Sequence, residues 1–234
     1  MDGNGRWAHA RGLPRLQGHR EGAESVRAIV RECRRRGVEA LTLYSFSTEN
    51  WRRPQDEVDG LMALLGHYLD TEVNELQEQG IRLRAIGELS DLPENIQLLL
   101  AAAQFATSGN SDLTLTLALS YGSRAEIRHA VQSLATQVQN GELKPEDIDD
   151  GAISRALYTS ELPDPDLLIR TSGEMRLSNF LLWQLAYSEL HITDVAWPDF
   201  REPHLDRALQ EYGTRQRRFG KTGAQVESER EEGL

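Results

Sequence analysis

Short apolar runs alternate along the chain with longer stretches whose apolar residues recur every three or four positions. That alternation predicts a single α/β domain built on a central, largely parallel sheet flanked by helices. Runs at 38–46, 81–86, 113–119, 167–169 and 192–195 read as strands. Several are continuous rather than alternating, as expected for strands covered on both faces. Residues 21–36 carry Ala23, Val26, Ile29, Val30 and Cys33 on one helical stripe, with Gly37 placed to close it as a left-handed cap. The longest helical pattern, 56–79, carries Val58, Leu61, Met62, Leu65, Leu69, Val73 and Leu76; as one helix it would span roughly 35 Å. Helices are also expected at 93–106, 124–138, 179–189 and 203–219. Neither an internal repeat nor a linker interrupts this order, and 234 residues suffice for one large core.

Charge narrows the function classes. The net charge of −11 argues against nucleic acid as the main partner. Cations are nevertheless concentrated at 6–20 and 215–221, while 227–232 is mostly acidic and reads as a disordered tail. A lone cysteine, Cys33, excludes an intramolecular disulfide and falls among apolar helical positions, so a packed thiol in a reducing cytosol is expected. No stretch has the length and apolarity of a membrane span or the look of a signal peptide, which predicts a cytoplasmic protein.

Three polar segments carry candidate chemistry. Asp2-Gly3-Asn4-Gly5-Arg6-Trp7 suits either a phosphate-binding turn or an ordinary hairpin turn; Arg6, Arg15, His19 and Arg20 tilt the balance toward a polyanionic ligand. This opening reads as a strand-to-helix turn without its strand, so a lost first strand or a misplaced start is expected. Residues 45–54, with Ser47, Thr48, Glu49, Asn50, Trp51, Arg52 and Arg53, follow a strand directly, where open α/β sheets bind ligands. Capping is the simpler reading for Thr48 and Glu49, and Trp51 suits loop packing as well as ligand contact. Residues 170–179 also follow a strand, and Arg170, Arg176 and Ser178 form a plausible second anion clamp, with Glu174 balancing the arginines. Glu189 ends an apolar helical pattern and reads by spacing as a solvated terminus.

Together these segments resemble the cis-prenyltransferase family, particularly bacterial undecaprenyl diphosphate synthases. The resemblance rests on MDGNGRWA at 1–8, GHREGA at 18–23, LYSFSTENWRRP at 43–54, IRTSGEMRLSNFLLWQLAYSEL at 169–190, TDVAWPDF at 193–200 and RRFG at 217–220. It implies a catalytic domain over 1–220, with 221–234 as the flexible tail, and a homodimer whose sheet and two helices enclose a hydrophobic tunnel. Leu61, Met62, Leu65 and Leu69 would line that tunnel, and Leu113 would stop the growing chain. The implied substrates are isopentenyl diphosphate and an allylic starter, farnesyl diphosphate, with Mg²⁺ as cofactor. By resemblance, Asp2 and Asn50 are catalytic, and Asp2 shares magnesium with Glu189. Gly3, Asn4, Gly5, Arg6, Trp7, Arg15 and His19 would surround the allylic diphosphate, with Ser47, Glu49, Trp51 and Arg53 nearby. Arg170, Arg176 and Ser178 would hold isopentenyl diphosphate, while Arg218 and Gly220 would reach the partner subunit's site. Release of so apolar a product implies transient peripheral membrane contact. Tyr121-Gly122-Ser123-Arg124 departs mildly from the family's Tyr-Gly-Gly-Arg. The alternative, a non-catalytic subunit of the same fold, predicts loss of the aspartate and arginine set, which is present.

Overall fold

The continuous apolar runs form buried parallel strands. In the computed structural model, which describes residues 1–215, β1 (Ala40–Ser47), β2 (Ile81–Ile86) and β3 (Leu113–Tyr121) make one parallel sheet in the order β1-β3-β2. The central strand β3 is the most deeply buried, because it has a neighbour on each side and helices over its faces. A second parallel pair, β4 (Leu167–Arg170) and β5 (Glu189–Ile192), matches Leu167 to Glu189 and Arg170 to Ile192. The five strands among the described residues therefore pair only in parallel, within two sheets.

Eight helices surround them among the described residues: α1 (Asn4–Ala10), α2 (Arg15–Arg35), α3 (Gln55–Thr71), α4 (Val73–Glu78), α5 (Glu94–Ala106), α6 (Ser123–Gln139), α7 (Asp150–Ala156) and α8 (Glu202–Thr214). Helix α2 begins just after Pro14, earlier than its apolar stripe suggests, and Gly37 at φ 72° closes it. Cys33 is buried in the main core, where burial pushes its thiol pKa up to about 12. Short helices α1 and α7 escaped the apolar pattern. Helix α7 is started by Asp149, whose side chain accepts the Ala152 N–H at 2.7 Å.

Three expectations are corrected. The 56–79 pattern is not one helix, because the chain bends at Glu72 between α3 and α4. There Thr71 Oγ1 donates back to the His67 carbonyl at 2.9 Å, and Arg27 draws the Glu72 carboxylate aside at 2.7 Å. Helix α3, with 17 residues, is about 25 Å long. The predicted helix at 179–189 is instead a run of turns over 179–187 leading into β5, since Ser178, Asn179 and Leu181 all adopt positive φ. The final strand is Glu189–Ile192 rather than 192–195, and the part of the 203–219 pattern beyond 215 lies outside the described residues.

Helix α1 sits unusually close to α2. A Cβ on Gly18 would fall 2.0 Å from the Asn4 carbonyl oxygen, and one on Gly22 would lie 2.6 Å from Asn4 Oδ1. Glycine at these positions therefore sets where the Asp2–Gly5 turn lies. Among the described residues, no helix is long and apolar enough to cross a membrane.

Candidate active site

Strands β1, β3 and β4 end on the same side, and the polar segments of the sequence begin where they end. This is the side on which open α/β sheets place ligands. The Asp2–Gly5 turn joins them through long-range bonds. The Asp2 backbone N–H donates to Thr171 Oγ1 at 2.8 Å, while its carbonyl accepts from Thr171 Oγ1 at 2.9 Å and from the Trp197 N–H at 2.9 Å. Gly3 supplies the left-handed corner at φ 102°.

At this corner the Asp2 carboxylate accepts the Gly3 N–H at 2.8 Å and the Arg170 guanidinium at 3.0 Å. Partial burial raises its pKa, but these two donors outweigh burial and hold it below the usual carboxylate value. Arg170 also donates to Ser178 Oγ at 3.1 Å and to the Arg176 carbonyl, so the second anion clamp is assembled around it. Glu174 bridges Arg6 at 2.9 Å and Arg176 at 2.5 Å.

A third cluster lies on α2 and α3. Glu57 faces Arg53 at 2.9 Å, Arg15 at 3.3 Å and His19 at 3.9 Å. Burial first, and Arg53 and Arg15 after it, lower the His19 pKa to about 4 against the opposing effect of Glu57. His19 Nε2, Asn4 Oδ1 and Arg170 Nε are all buried without a hydrogen-bond partner. Three such atoms around one opening indicate a polar ligand there.

The opening leads into a cavity of about 1360 Å³. Its polar mouth is lined by Asp2, Gly3, Asn4, Gly5, Arg6, Arg15, His19, Ser47, Asn50, Arg53, Arg170, Arg176 and Ser178. Its apolar wall includes Leu61, Met62, Leu65 and Leu69 from α3, facing Leu115, Leu117 and Leu119 of β3. Residues of β1 and β4 line it as well. Leu113 is fully buried one step beyond Leu115 and does not line the cavity.

Other expected site residues support the mouth without lining it. Trp7 donates to Asp199 Oδ1 at 2.8 Å and stacks beneath Arg11 at 4.1 Å, fastening α1 to the 197–199 turn. Trp51 packs on Phe46 and donates to Ser120 Oγ at 2.9 Å. Glu49 accepts from Asn179 at 3.1 Å, while Asn50, which does line the mouth, accepts the Ser47 N–H through Oδ1 at 3.1 Å. Glu189 lies apart from the Asp2 cluster within this chain. It opens β5 three register positions before the Arg170 level, roughly 10 Å from it along the strand. There it pairs with Arg215 at 2.9 Å and shares no cluster with Asp2 within this chain. Arg218 and Gly220 lie outside the described residues.

Sequence reasoning missed Thr171, Glu57 and Asn179 as parts of the site. The spacing Arg53-Pro54-x-x-Glu57 carried a usable signal, because residues four apart pair on a helix. Thr171 and Asn179 act through contacts that only the folded chain creates.

Comparison with known proteins agrees with this geometry. Residues 1–220 match the prenyltransferase family model described as "Putative undecaprenyl diphosphate synthase". The chain is 51% identical over 226 residues to an isoprenyl transferase of Geobacter sulfurreducens, covering 97% of this chain and 92% of that protein. It is 50% identical to a ditrans,polycis-undecaprenyl-diphosphate synthase ((2E,6E)-farnesyl-diphosphate specific) of Xanthomonas axonopodis pv. citri, covering 97% and 88%. Among solved structures, lavandulyl diphosphate synthase from Lavandula x intermedia, in complex with dimethylallyl diphosphate, superposes with a TM-score of 0.92 at 38% identity, covering 94% of this chain and 95% of that one. "A probable undecaprenyl diphosphate synthase" from Campylobacter jejuni gives a TM-score of 0.76 at 33% identity, covering 86% and 92%. The chain belongs to the undecaprenyl diphosphate synthase family of cis-prenyltransferases.

Proposed function

We propose that this protein adds isopentenyl diphosphate units to farnesyl diphosphate and makes undecaprenyl diphosphate, a lipid-carrier precursor for cell-wall polysaccharide. The observation that carries this reading is one cavity with a mouth of paired cations and a deep apolar wall. A diphosphate with a growing hydrocarbon tail needs both surfaces. The wall favours each added carbon by about 0.8 kcal/mol per buried CH₂.

The allylic diphosphate lies against Gly3, Asn4 and Gly5, with Arg6, Arg15, His19 and Arg53 around it. Isopentenyl diphosphate is held by Arg170, Arg176 and Ser178. Cleavage of the allylic C–O bond sends its electron pair to the leaving pyrophosphate, and the arginines stabilise the charge that accumulates there. The isopentenyl alkene forms the new C–C bond to the allylic carbon, and a proton is lost from the neighbouring carbon. Ser47 and Asn50 orient the departing pyrophosphate or relay that proton. Two polyanions side by side repel each other, so a dense set of cations is required to orient them.

Magnesium suits this site through a single protein carboxylate. Mg²⁺ keeps several waters and takes oxygens from substrate phosphates, so Asp2 alone can serve. Among the described residues there is no group of three or more metal-ligating side chains. When bound, the ion supplies charge neutralisation on the leaving diphosphate. The functional unit is a homodimer. The apolar product reaches the membrane through peripheral contact by a cytoplasmic enzyme. The non-catalytic alternative is not favoured, since Asp2, His19, Arg170, Arg176 and Ser178 are all in place.

The test is incubation with farnesyl diphosphate, radiolabelled isopentenyl diphosphate and Mg²⁺, followed by chain-length analysis of dephosphorylated products. A long polyprenol whose label vanishes with EDTA supports the reading. No incorporation by folded dimer overturns it.

A further inference from the structure

The segment carrying Ser178 is held in an uncommon backbone shape. Ser178, Asn179 and Leu181 have φ of 52°, 60° and 44°, and none is glycine. Such a run persists only when surrounding bonds impose it. Asn179 supplies three of those bonds. Its carbonyl accepts the Ser123 N–H at 2.8 Å, its Oδ1 accepts the Arg124 N–H at 2.9 Å, and its Nδ2 donates to Glu49 Oε1 at 3.1 Å. One side chain thus joins the Ser178 segment, the start of α6 and the turn bearing Asn50. Gly122 leaves the room for it, since a Cβ there would lie 2.7 Å from Asn179 Nδ2 and 2.8 Å from Thr48 Oγ1.

We propose that Asn179 is a positioning residue that sets the isopentenyl diphosphate clamp and ties its geometry to the Ser47–Asn50 turn. The inference rests on the reading of Arg170, Arg176 and Ser178 as that clamp. Asn179 does not line the cavity, so it acts through Ser178, one residue away, whose Oγ accepts from Arg170. Burial works against the Glu49 charge, but its own backbone N–H, Asn179 and Ser47 outweigh burial and keep the carboxylate below its usual pKa. An ionised Glu49 is the strong acceptor that the Asn179 amide needs.

Steady-state kinetics with both substrates test this on four proteins, each checked by thermal melting. Asn179→Asp sets two carboxylates face to face and is expected to raise KM for isopentenyl diphosphate about tenfold, with KM for farnesyl diphosphate little changed. Adding Glu49→Gln restores a donor–acceptor pair and is expected to recover most of that loss. Asn179→Gly keeps the left-handed backbone without the amide and is expected to remain impaired. A wild-type KM in Asn179→Gly, or no recovery in the double variant, overturns the proposal. Ser178→Ala checks the underlying reading. If it leaves KM for isopentenyl diphosphate unchanged, the clamp assignment fails and the inference fails with it. If it raises that KM while Asn179→Asp does not, only the inference fails.

Discussion

The Glu57 carboxylate lies 2.9 Å from the Arg53 guanidinium. The same carboxylate faces Arg15 and His19, so one acid neutralises cations that a diphosphate would use. Both partners are substantially buried, and screening is weaker there than on open surface. Glu57→Gln is expected to tighten binding of inorganic pyrophosphate, measured calorimetrically, by about threefold or more. Weaker binding would instead show that Glu57 holds Arg53 and Arg15 in place.

Asp2 combines charge with shape. Its carboxylate fixes Arg170 and caps the Gly3 N–H, so alanine removes both roles and asparagine mainly the charge. Asp2→Asn is expected to lower kcat by about 10²-fold or more while leaving the melting temperature near wild type. Equal kcat in the two proteins would remove Asp2 from the chemistry.

His19 gives stability a pH dependence whose sign follows from its environment. Its folded pKa is depressed to about 4 from the ordinary 6.5, so the fold favours neutral imidazole. Stability from this group is fully present above pH 6.5 and is lost as pH falls toward 4. The loss has an upper scale of about 3 kcal/mol. Urea unfolding at pH 7.5 and 5.0 measures it, and His19→Gln is expected to flatten that difference. An unchanged difference would place the acid sensitivity elsewhere.

The positions of the 45–54 loop and of the Arg170 clamp were legible because each follows a strand, and strand ends are where a parallel sheet presents ligands. Arg170 and Ser47 could be placed on this basis alone. The pairing of Asp2 with Arg170, 168 residues away, was not legible in the sequence, where the two belong to separate candidate sites. Local pattern failed at 179–189, where Phe180, Leu181 and Leu185 have helical spacing but bury through successive turns. No composition signal marks positive φ at Ser178 or Leu181, because tertiary bonds impose it. The bend at Glu72 was hidden for a similar reason, since Arg27 reaches it from another helix. Glu189 reads in the sequence as a helix terminus because its apolar approach imitates a helix and conceals the start of β5.

Close packing of α1 on α2 makes a separate prediction about stability. Gly18→Ala forces a methyl against the Asn4 carbonyl, a backbone atom that cannot turn aside. The expected cost is about 2–3 kcal/mol, with displacement of the Asp2 turn. Gly12→Ala provides a control, since its Cβ would meet nothing within 4 Å despite a positive φ of 66°. That control should cost about 1 kcal/mol from backbone conformation alone. Chemical denaturation distinguishes the two effects, and equal losses would refute the close-packing account.

Product length should respond to the β3 wall. Leu115, Leu117 and Leu119 alternate along one face and line the cavity, while Leu113, next on that face, is fully buried behind Leu115. A bulky side chain midway along the wall should therefore block the tail early, and truncation at the buried end should extend the space. Leu117→Trp is expected to shift labelled products to shorter polyprenols with incorporation of the first isopentenyl units retained. Leu113→Ala is expected to lengthen products and lower stability by about 2–5 kcal/mol, because it removes a fully buried leucine. Thin-layer separation of dephosphorylated products reads both shifts from one assay. If Leu113→Ala destabilises the protein without changing product length, Leu113 belongs to the core alone and the chain stops against another side chain.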